Sequence, residues 1–300
     1  MSFMLAVSAI FAQETTVESC KARYNKFVEK FGYAGIGVRT VLDEWKQIDP
    51  KDQDLLIADF NYYIAACQSS MVVKKPESKY LGMKPMLELK DSTGANIYYY
   101  EEVFYDENIF KDAIKAADHA ISLYPDELNF RFMKLNAYMA FEKGSPDMAL
   151  ADLLHLAELY FKEGKSWIYL GKEIPKDFFE GAVQDFCYSF YTIGTPSSYA
   201  AFLRMSEQML EYLPNNPVYM DNIGVYQLVA MNNNSKAEKV FKKVLKKYPD
   251  DITAISNCII IARREKDIKK EKKYLKMMVA HGPEDQVTTA KLRLDALEKL

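Results

Sequence analysis

The sequence predicts an all-α fold: a solenoid of helix-turn-helix repeats, carrying one small β-hairpin insertion and closed by a C-terminal capping helix. Three observations predict it. Pro249 and Pro283 lie 34 residues apart and Pro214 lies 35 before Pro249, and a fixed period in this range marks a stacked repeat array. Glycine and proline are sparse, 12 and 11 in 300 residues, which favours helices joined by short turns over a many-stranded sandwich. Apolar residues recur at the i, i+3, i+4, i+7 spacing of amphipathic helices through most of the chain.

The composition is that of a folded chain. Hydrophobic residues make up 49% and charged residues 27%, which excludes bulk disorder. The net charge of -3 conceals segregation. From Lys236 to Lys276 there are 14 Lys/Arg against 6 Asp/Glu, a local +8, so the remainder carries -11.

The elements follow in order. Phe3 to Ala12 is an apolar run too short to span a bilayer. It resembles the later part of a secretory signal peptide cleaved after Ala12, which predicts a secreted or periplasmic protein; a cytoplasmic one with an apolar N-terminus is the alternative. No later stretch holds 18 uninterrupted apolar residues, so no transmembrane segment is expected. Val17 to Phe31 places Val17, Cys20, Tyr24, Phe27, Val28 and Phe31 on one helical stripe. Val38 to Ile48 is a second helix, stopped by Asp49-Pro50. Asp52 opens a third, predicted to run to Ser70. These form diverged N-terminal helices over 17–73.

Residues 74–106 interrupt the pattern with Pro76, Gly82, Pro85 and Gly94. Leu87–Lys90 and Asn96–Tyr100 flank Asp91-Ser92-Thr93-Gly94, the signature of a hairpin, and the segment is rich in Tyr. Helical repeats resume over 107–164. A linker with Trp167 and a diverged helix pair occupy 165–214, two repeats 215–283, and a capping helix 284–300. In the cap, Val287, Leu292, Leu294, Leu297 and Leu300 are expected to cover the last repeat's open face.

The array resembles tetratricopeptide repeats. In Pro217 to Pro249, Ile223-Gly224, Tyr226, Ala237, Phe241 and Pro249 fit that family's pattern of small and aromatic positions. The next repeat keeps the period and the terminal Pro283, but Glu271 replaces the small residue of its second helix. Ala113, Ala117, Ala120 and Pro125 match a second helix upstream. The whole is also similar to secreted tetratricopeptide proteins of Bacteroidota. The resemblance implies a right-handed solenoid and a non-enzymatic scaffold binding a peptide or protein in a groove lined by the first helix of each repeat. In that register Asp221, Asn222, Val225 and Leu228 line one repeat; Ser256, Asn257, Ile260 and Arg264 the next; Met133, Lys134, Ala137 and Phe141 an earlier one. Asn222 and Asn257 occupy matching positions. Such asparagines either bind a peptide backbone or serve the fold.

Other constellations are weighed on their chemistry. His119 and His155 occupy one repeat position expected to face solvent, with no nucleophile suggested beside them, so no catalytic residues are assigned. HExxH and CxxC are absent and no metal or cofactor is implied. Cys67, Cys187 and Cys258 lie in apolar stretches, as buried free thiols do. Tyr98, Tyr100 and Trp167 are a possible aromatic surface; their stacking on sugars would make this a carbohydrate-binding envelope protein instead. The Lys236–Lys276 run is either the solvated face of the last helices or a site for an anionic partner: an acidic peptide, a polyanionic glycan or a membrane surface. Nucleic acid is disfavoured by a pI near 5.8 and the lack of a recognised motif.

Overall fold

The computed structural model describes residues 16–299, so the signal-peptide reading of 1–12 lies outside the described residues. Thirteen helices and five short strands are present among them. The chain divides into two compact units. Among the described residues, one holds 16–73 with Glu101–Ala137 and Ile168–Gly171; the other holds Lys74–Tyr100, Tyr138–Trp167 and 172–299.

In the first unit α1 (Val17–Phe31) starts at a capping box in which the Thr16 and Ser19 side chains each accept the other's backbone N–H. Cys20, Val38, Val41, Leu42 and Trp45, from α1 and α2 (Val38–Ile48), form a core with Leu55 and Ala58 of α3 (Gln53–Cys67). Arg39 ties α2 to α3: its guanidinium pairs with Asp43 and Asp59 at 2.6 and 2.7 Å and lies 5.2 Å from the Tyr62 ring. The third helix ends at Cys67 rather than Ser70, and β1 (Gln68–Lys75) takes its place. Polar Gln68, Ser69 and Ser70 add nothing to the buried stripe of α3.

Helix α4 (Glu107–Leu123) packs on α3, capped by Asp106, whose carboxylate accepts from the N–H of Asn108 and Ile109. The two helices are a repeat whose turn has been replaced by the 39 residues Gln68–Asp106. Its ends meet, since Asp106 N–H donates to the Cys67 carbonyl at 2.8 Å. Pro50 and Pro125 are 75 residues apart, but 36 without the excursion, close to the period downstream. The Tyr124 hydroxyl then donates to the Lys51 carbonyl at 2.6 Å. Helix α5 (Leu128–Glu142) follows, its Phe130 packed with Leu56 and Ala120. Buried Glu127 accepts from the backbone N–H of Leu170 and Gly171 at 2.9 Å each, fixing a turn in the segment expected to be a plain linker. That segment carries β4 (Ile168–Tyr169) and β5 (Lys172–Glu173).

In the second unit β2 (Leu87–Lys90) pairs antiparallel with β3 (Asn96–Tyr105), Leu87 opposite Tyr99 and Lys90 opposite Asn96. Asp91 shapes the turn by accepting from Thr93 N–H, the Thr93 hydroxyl and Ala95 N–H, and Gly94 adopts the left-handed φ of +85° the turn needs. Gly82, at φ +80°, lies so close to Thr192 that a Cβ would sit 2.6 Å from its carbonyl oxygen.

Helices α6 (Asp147–Glu163), α7 (Phe178–Ile193), α8 (Pro196–Tyr212), α9 (Pro217–Val229), α10 (Asn234–Lys247), α11 (Ile252–Arg264), α12 (Ile268–His281) and α13 (Glu284–Glu298) complete the chain. From α7 onward each helix packs on its successor. Gly224 of α9 faces the Phe241 ring of α10 so closely that a Cβ would meet it at 2.5 Å. A glycine inside a helix costs about 0.5–1 kcal/mol relative to alanine, offset here by the close approach of the two helices. In the capping helix Leu297 is buried and Val287 and Leu294 partly so, joined by buried Ala290, while Leu292, expected on the same stripe, is 68% exposed; Leu300 lies outside the described residues. No helix among the described residues is long and apolar enough to cross a membrane.

Candidate functional site

The predicted inner-wall residues separate into three groups. Asp221 and Asn222 are buried, at 4% and 6% exposure. The Asn222 carboxamide is engaged on both sides: its Nδ2 donates to Gln184 Oε1 at 2.8 Å and to the Ser206 hydroxyl at 3.0 Å, and its Oδ1 accepts from Gln184 Nε2 at 3.2 Å. Asn222 therefore knits α7, α8 and α9 together, and the fold-serving reading of this asparagine is the one its geometry supports. Val225 is half-buried and packs against the core of the last helices.

Asp221 carries a titration anomaly. Burial, then the negative charge of Asp251 and the hydrogen bond to it, push its carboxyl up to about 9. The Asp221 carboxyl neighbours that of Asp251, the N-cap of α11, which accepts from Ala254 N–H at 2.9 Å. Asp221 Oδ1 has no hydrogen-bond partner among the described residues.

The second group lies on α11. Ser256 and Ile260 line a pocket of about 250 Å³ together with Ile259 and Arg263, Leu275 and Met278 of α12, and Asp285, Gln286, Thr289 and Ala290 of α13. Residues 256, 259, 260 and 263 follow the i, i+3, i+4, i+7 rule, so the wall uses Arg263 where Arg264 was expected. Asn257 donates to the Thr253 carbonyl of its own helix, and Arg264 reaches the Leu228 carbonyl of α9 at 3.5 Å; neither lines the pocket. The floor is aliphatic and Ile260 is 42% exposed, while a guanidinium, a carboxylate, a carboxamide and two hydroxyls surround it. This arrangement suits an apolar side chain whose polar backbone is held at the rim. Apolar periodicity marks α13 only as a cap; its polar first turn, Glu284-Asp285-Gln286, is the sequence signal for its part in the pocket.

Arg263 is held by a charged cluster. Glu271, buried at 3%, accepts from Arg263 Nε at 2.7 Å and from Arg293 Nε at 2.8 Å and Nη2 at 3.1 Å. The Arg293 hydrogen bonds hold its carboxyl below the usual range against the opposing effect of burial, with Arg263 adding to them. The residue that breaks the repeat pattern thus joins α11, α12 and α13.

Met133 and Lys134 belong to the other compact unit. Met133 packs on the Leu56, Ala120 and Phe130 cluster, and Lys134 pairs with Asp118 at 2.9 Å. The aromatic surface expected from Tyr98, Tyr100 and Trp167 is not assembled. Tyr100 is 1% exposed, its hydroxyl donating to the Glu77 carbonyl at 2.7 Å beside Tyr80. Trp167 is 4% exposed and stacked near Tyr160, which lies 3.9 Å from Phe179. Only Tyr98 keeps partial exposure, and its hydroxyl accepts from Asn96. A sugar ring has no open face of Tyr100 or Trp167 to stack on. His119 and His155 are exposed on α4 and α6. The four cysteines are buried free thiols; burial pushes Cys187 up to about 12 and Cys258 up to about 11.

No family model matches the chain, and no curated protein matches it. Among solved structures it is similar to the TPR domain of P58(IPK), known from a 2.5 Å crystal structure, at 12% identity and a TM-score of 0.32. The similarity covers 94% of this chain and 66% of that one, just under two thirds of its length. The repeat reading rests on the helix packing described above.

Proposed function

We propose that the chain is a non-enzymatic helical-repeat scaffold that binds a peptide or protein segment, with an apolar anchor seated between α11 and α13. The observation that supports this reading is the 250 Å³ pocket itself, with an aliphatic floor of Ile259, Ile260, Leu275, Met278 and Ala290 and a polar rim. Anchors in such pockets carry most of a peptide's binding energy. Arg263 is pre-oriented by Glu271, so no side-chain ordering is needed to present its exposed edge.

Selection of a displayed random peptide library on the immobilised chain tests the reading. Peptides with one large apolar residue should be enriched and should lose more than about tenfold in affinity on Ile260→Asp. Ile260 is partly exposed, so this change leaves the packing intact. Identical enrichment on wild type and Ile260→Asp would remove the pocket from the function.

A further inference from the structure

Helices α10 and α12 carry eleven lysines and only two acids, Glu238 and Glu271. Both acids are engaged: Glu238 pairs with Lys242 at 2.9 Å and Lys270 at 3.3 Å, and Glu271 is buried between two arginines. The Lys270–Glu238 pair also shows that the two helices are neighbours. Their inward faces are apolar, with Ala237, Phe241 and Val244 on one and Tyr274, Leu275 and Met278 on the other.

Six of the nine lysines that remain form an outward-facing set. Lys236, Lys239, Lys243 and Lys246 follow each other at steps of three and four along α10, and Lys269 and Lys276 stand on α12; all six are exposed. None of the six has a carboxylate partner among the described residues. The α10 row is about 15 Å long at 1.5 Å per residue, and the Lys270–Glu238 pair bridges it to α12 at 3.3 Å. The result is a platform of like charges on the outward faces of α10 and α12.

We propose that this platform docks on an anionic membrane surface, by contact with phospholipid headgroups and without insertion. The cations of the platform are all lysines, since α10 and α12 contain no arginine. Lysine is a hydrated point charge on a flexible stem, whereas arginine's planar fork reads single phosphates bidentately. A lysine row with no exposed aromatic suits a diffuse, laterally mobile layer of negative charge. A nucleic acid would be expected to meet arginine forks and stacking rings, and a curved duplex would engage one row where a flat bilayer engages both. The platform is formed by the outer faces of α10 and α12 and shares no residue with the peptide pocket, so the two proposals stand independently.

Vesicle co-sedimentation of the full chain tests this. The chain should partition onto phosphatidylcholine vesicles containing phosphatidylglycerol and not onto phosphatidylcholine alone, and should be released as salt rises from about 0.02 to about 0.3 M. Each lysine near an anionic leaflet is worth about fivefold in partitioning, so Lys239→Gln, Lys243→Gln and Lys276→Gln together should weaken it about a hundredfold. The charge-reversed set, Lys239→Glu, Lys243→Glu and Lys276→Glu, should abolish it. A circular dichroism melt checks the fold of both sets, and Ile260→Asp should partition as wild type does. Equal partition onto neutral vesicles, no partition onto anionic ones at low salt, or full binding by the glutamine set would each overturn the proposal. So would release from vesicles by a DNA duplex bound more tightly at the same salt, which would identify a nucleic-acid surface instead.

Discussion

The two consecutive hairpins α9–α10 and α11–α12 have helices of matching length and nearly the same period but are closed by opposite chemistry. In the first, a glycine and an aromatic ring bring the helices together: Gly224 leaves no Cβ and Phe241 fills its place. In the second, the second-helix position held by Ala237 in the first is Glu271, a buried carboxylate held by Arg263 and Arg293. The first device stabilises by removing apolar surface from water. The second sets a desolvation cost against charge-assisted hydrogen bonds, a balance often near neutral for the pair as a whole but steep when one side is removed. Its return is reach: one side chain fixes three helices and orients the arginine at the pocket rim.

The largest effect that separates the two devices should come from the first hairpin. Phe241→Ala is expected to destabilise by about 3–5 kcal/mol, through lost transfer energy and a cavity. Gly224→Ala should cost about 1–3 kcal/mol, because its Cβ meets the ring. In a Phe241→Leu background that penalty should shrink. Denaturant unfolding of the four proteins measures this coupling; additive effects would show that Gly224 and Phe241 do not act as a pair.

A smaller effect distinguishes the hairpins by pH, through buried carboxyls of opposite habit. Asp221 has its folded value raised to about 9, against about 3.9 for an unfolded aspartate. Between those values the folded state binds the proton that the unfolded state has lost, so its contribution is full below about pH 4 and declines towards pH 9. Glu271 is depressed, so its contribution is present above the ordinary carboxylate range, about 4.3, and is lost as pH falls through its folded value. Asp221→Asn should therefore flatten the alkaline decline, gaining about 1–3 kcal/mol relative to wild type at about pH 8. Glu271→Gln should lower stability near neutrality and flatten the acid side. Melts across the pH range decide it, and an Asp221→Asn profile parallel to wild type would refute the raised Asp221 carboxyl.

Legibility in the sequence followed the same divide. The α9–α13 stretch was readable because its prolines recur at a nearly fixed spacing and its first repeat carries a Gly and a Phe at the expected positions, and spacing is what sequence displays directly. The α3–α4 repeat was not, because 39 inserted residues separate helices that pack together, and no periodicity survives such a gap. At the site, helical register was placed well enough to find Ser256 and Ile260 but chose Arg264 over Arg263, a neighbour 100° away around the helix. Asn222 was visible as a repeated asparagine, yet its partners Gln184 and Ser206 come from helices 38 and 16 residues distant. Strand alternation put Tyr98 and Tyr100 on one face; it could not show that the Glu77 carbonyl and Tyr80 cover Tyr100 alone.

The smallest effect concerns a device that both compact units share. Tyr124 and Tyr248 each precede a repeat-ending proline, and each donates its hydroxyl to the carbonyl of the residue following an earlier proline: Lys51 after Pro50, and Asn215 after Pro214. One hydroxyl thus measures the spacing of successive turns in each unit. Tyr124→Phe and Tyr248→Phe should each cost about 0.5–1.5 kcal/mol. The two tryptophans supply separate readouts, since Trp45 lies in the first unit and Trp167 in the second. Tyr124→Phe should lower the midpoint seen at Trp45 in a Trp167→Phe background, and Tyr248→Phe the midpoint seen at Trp167 in a Trp45→Phe background. If either variant shifts both probes equally, the units unfold as one cooperative body, and the turn-spacing tyrosines then stabilise the whole array rather than their own repeats.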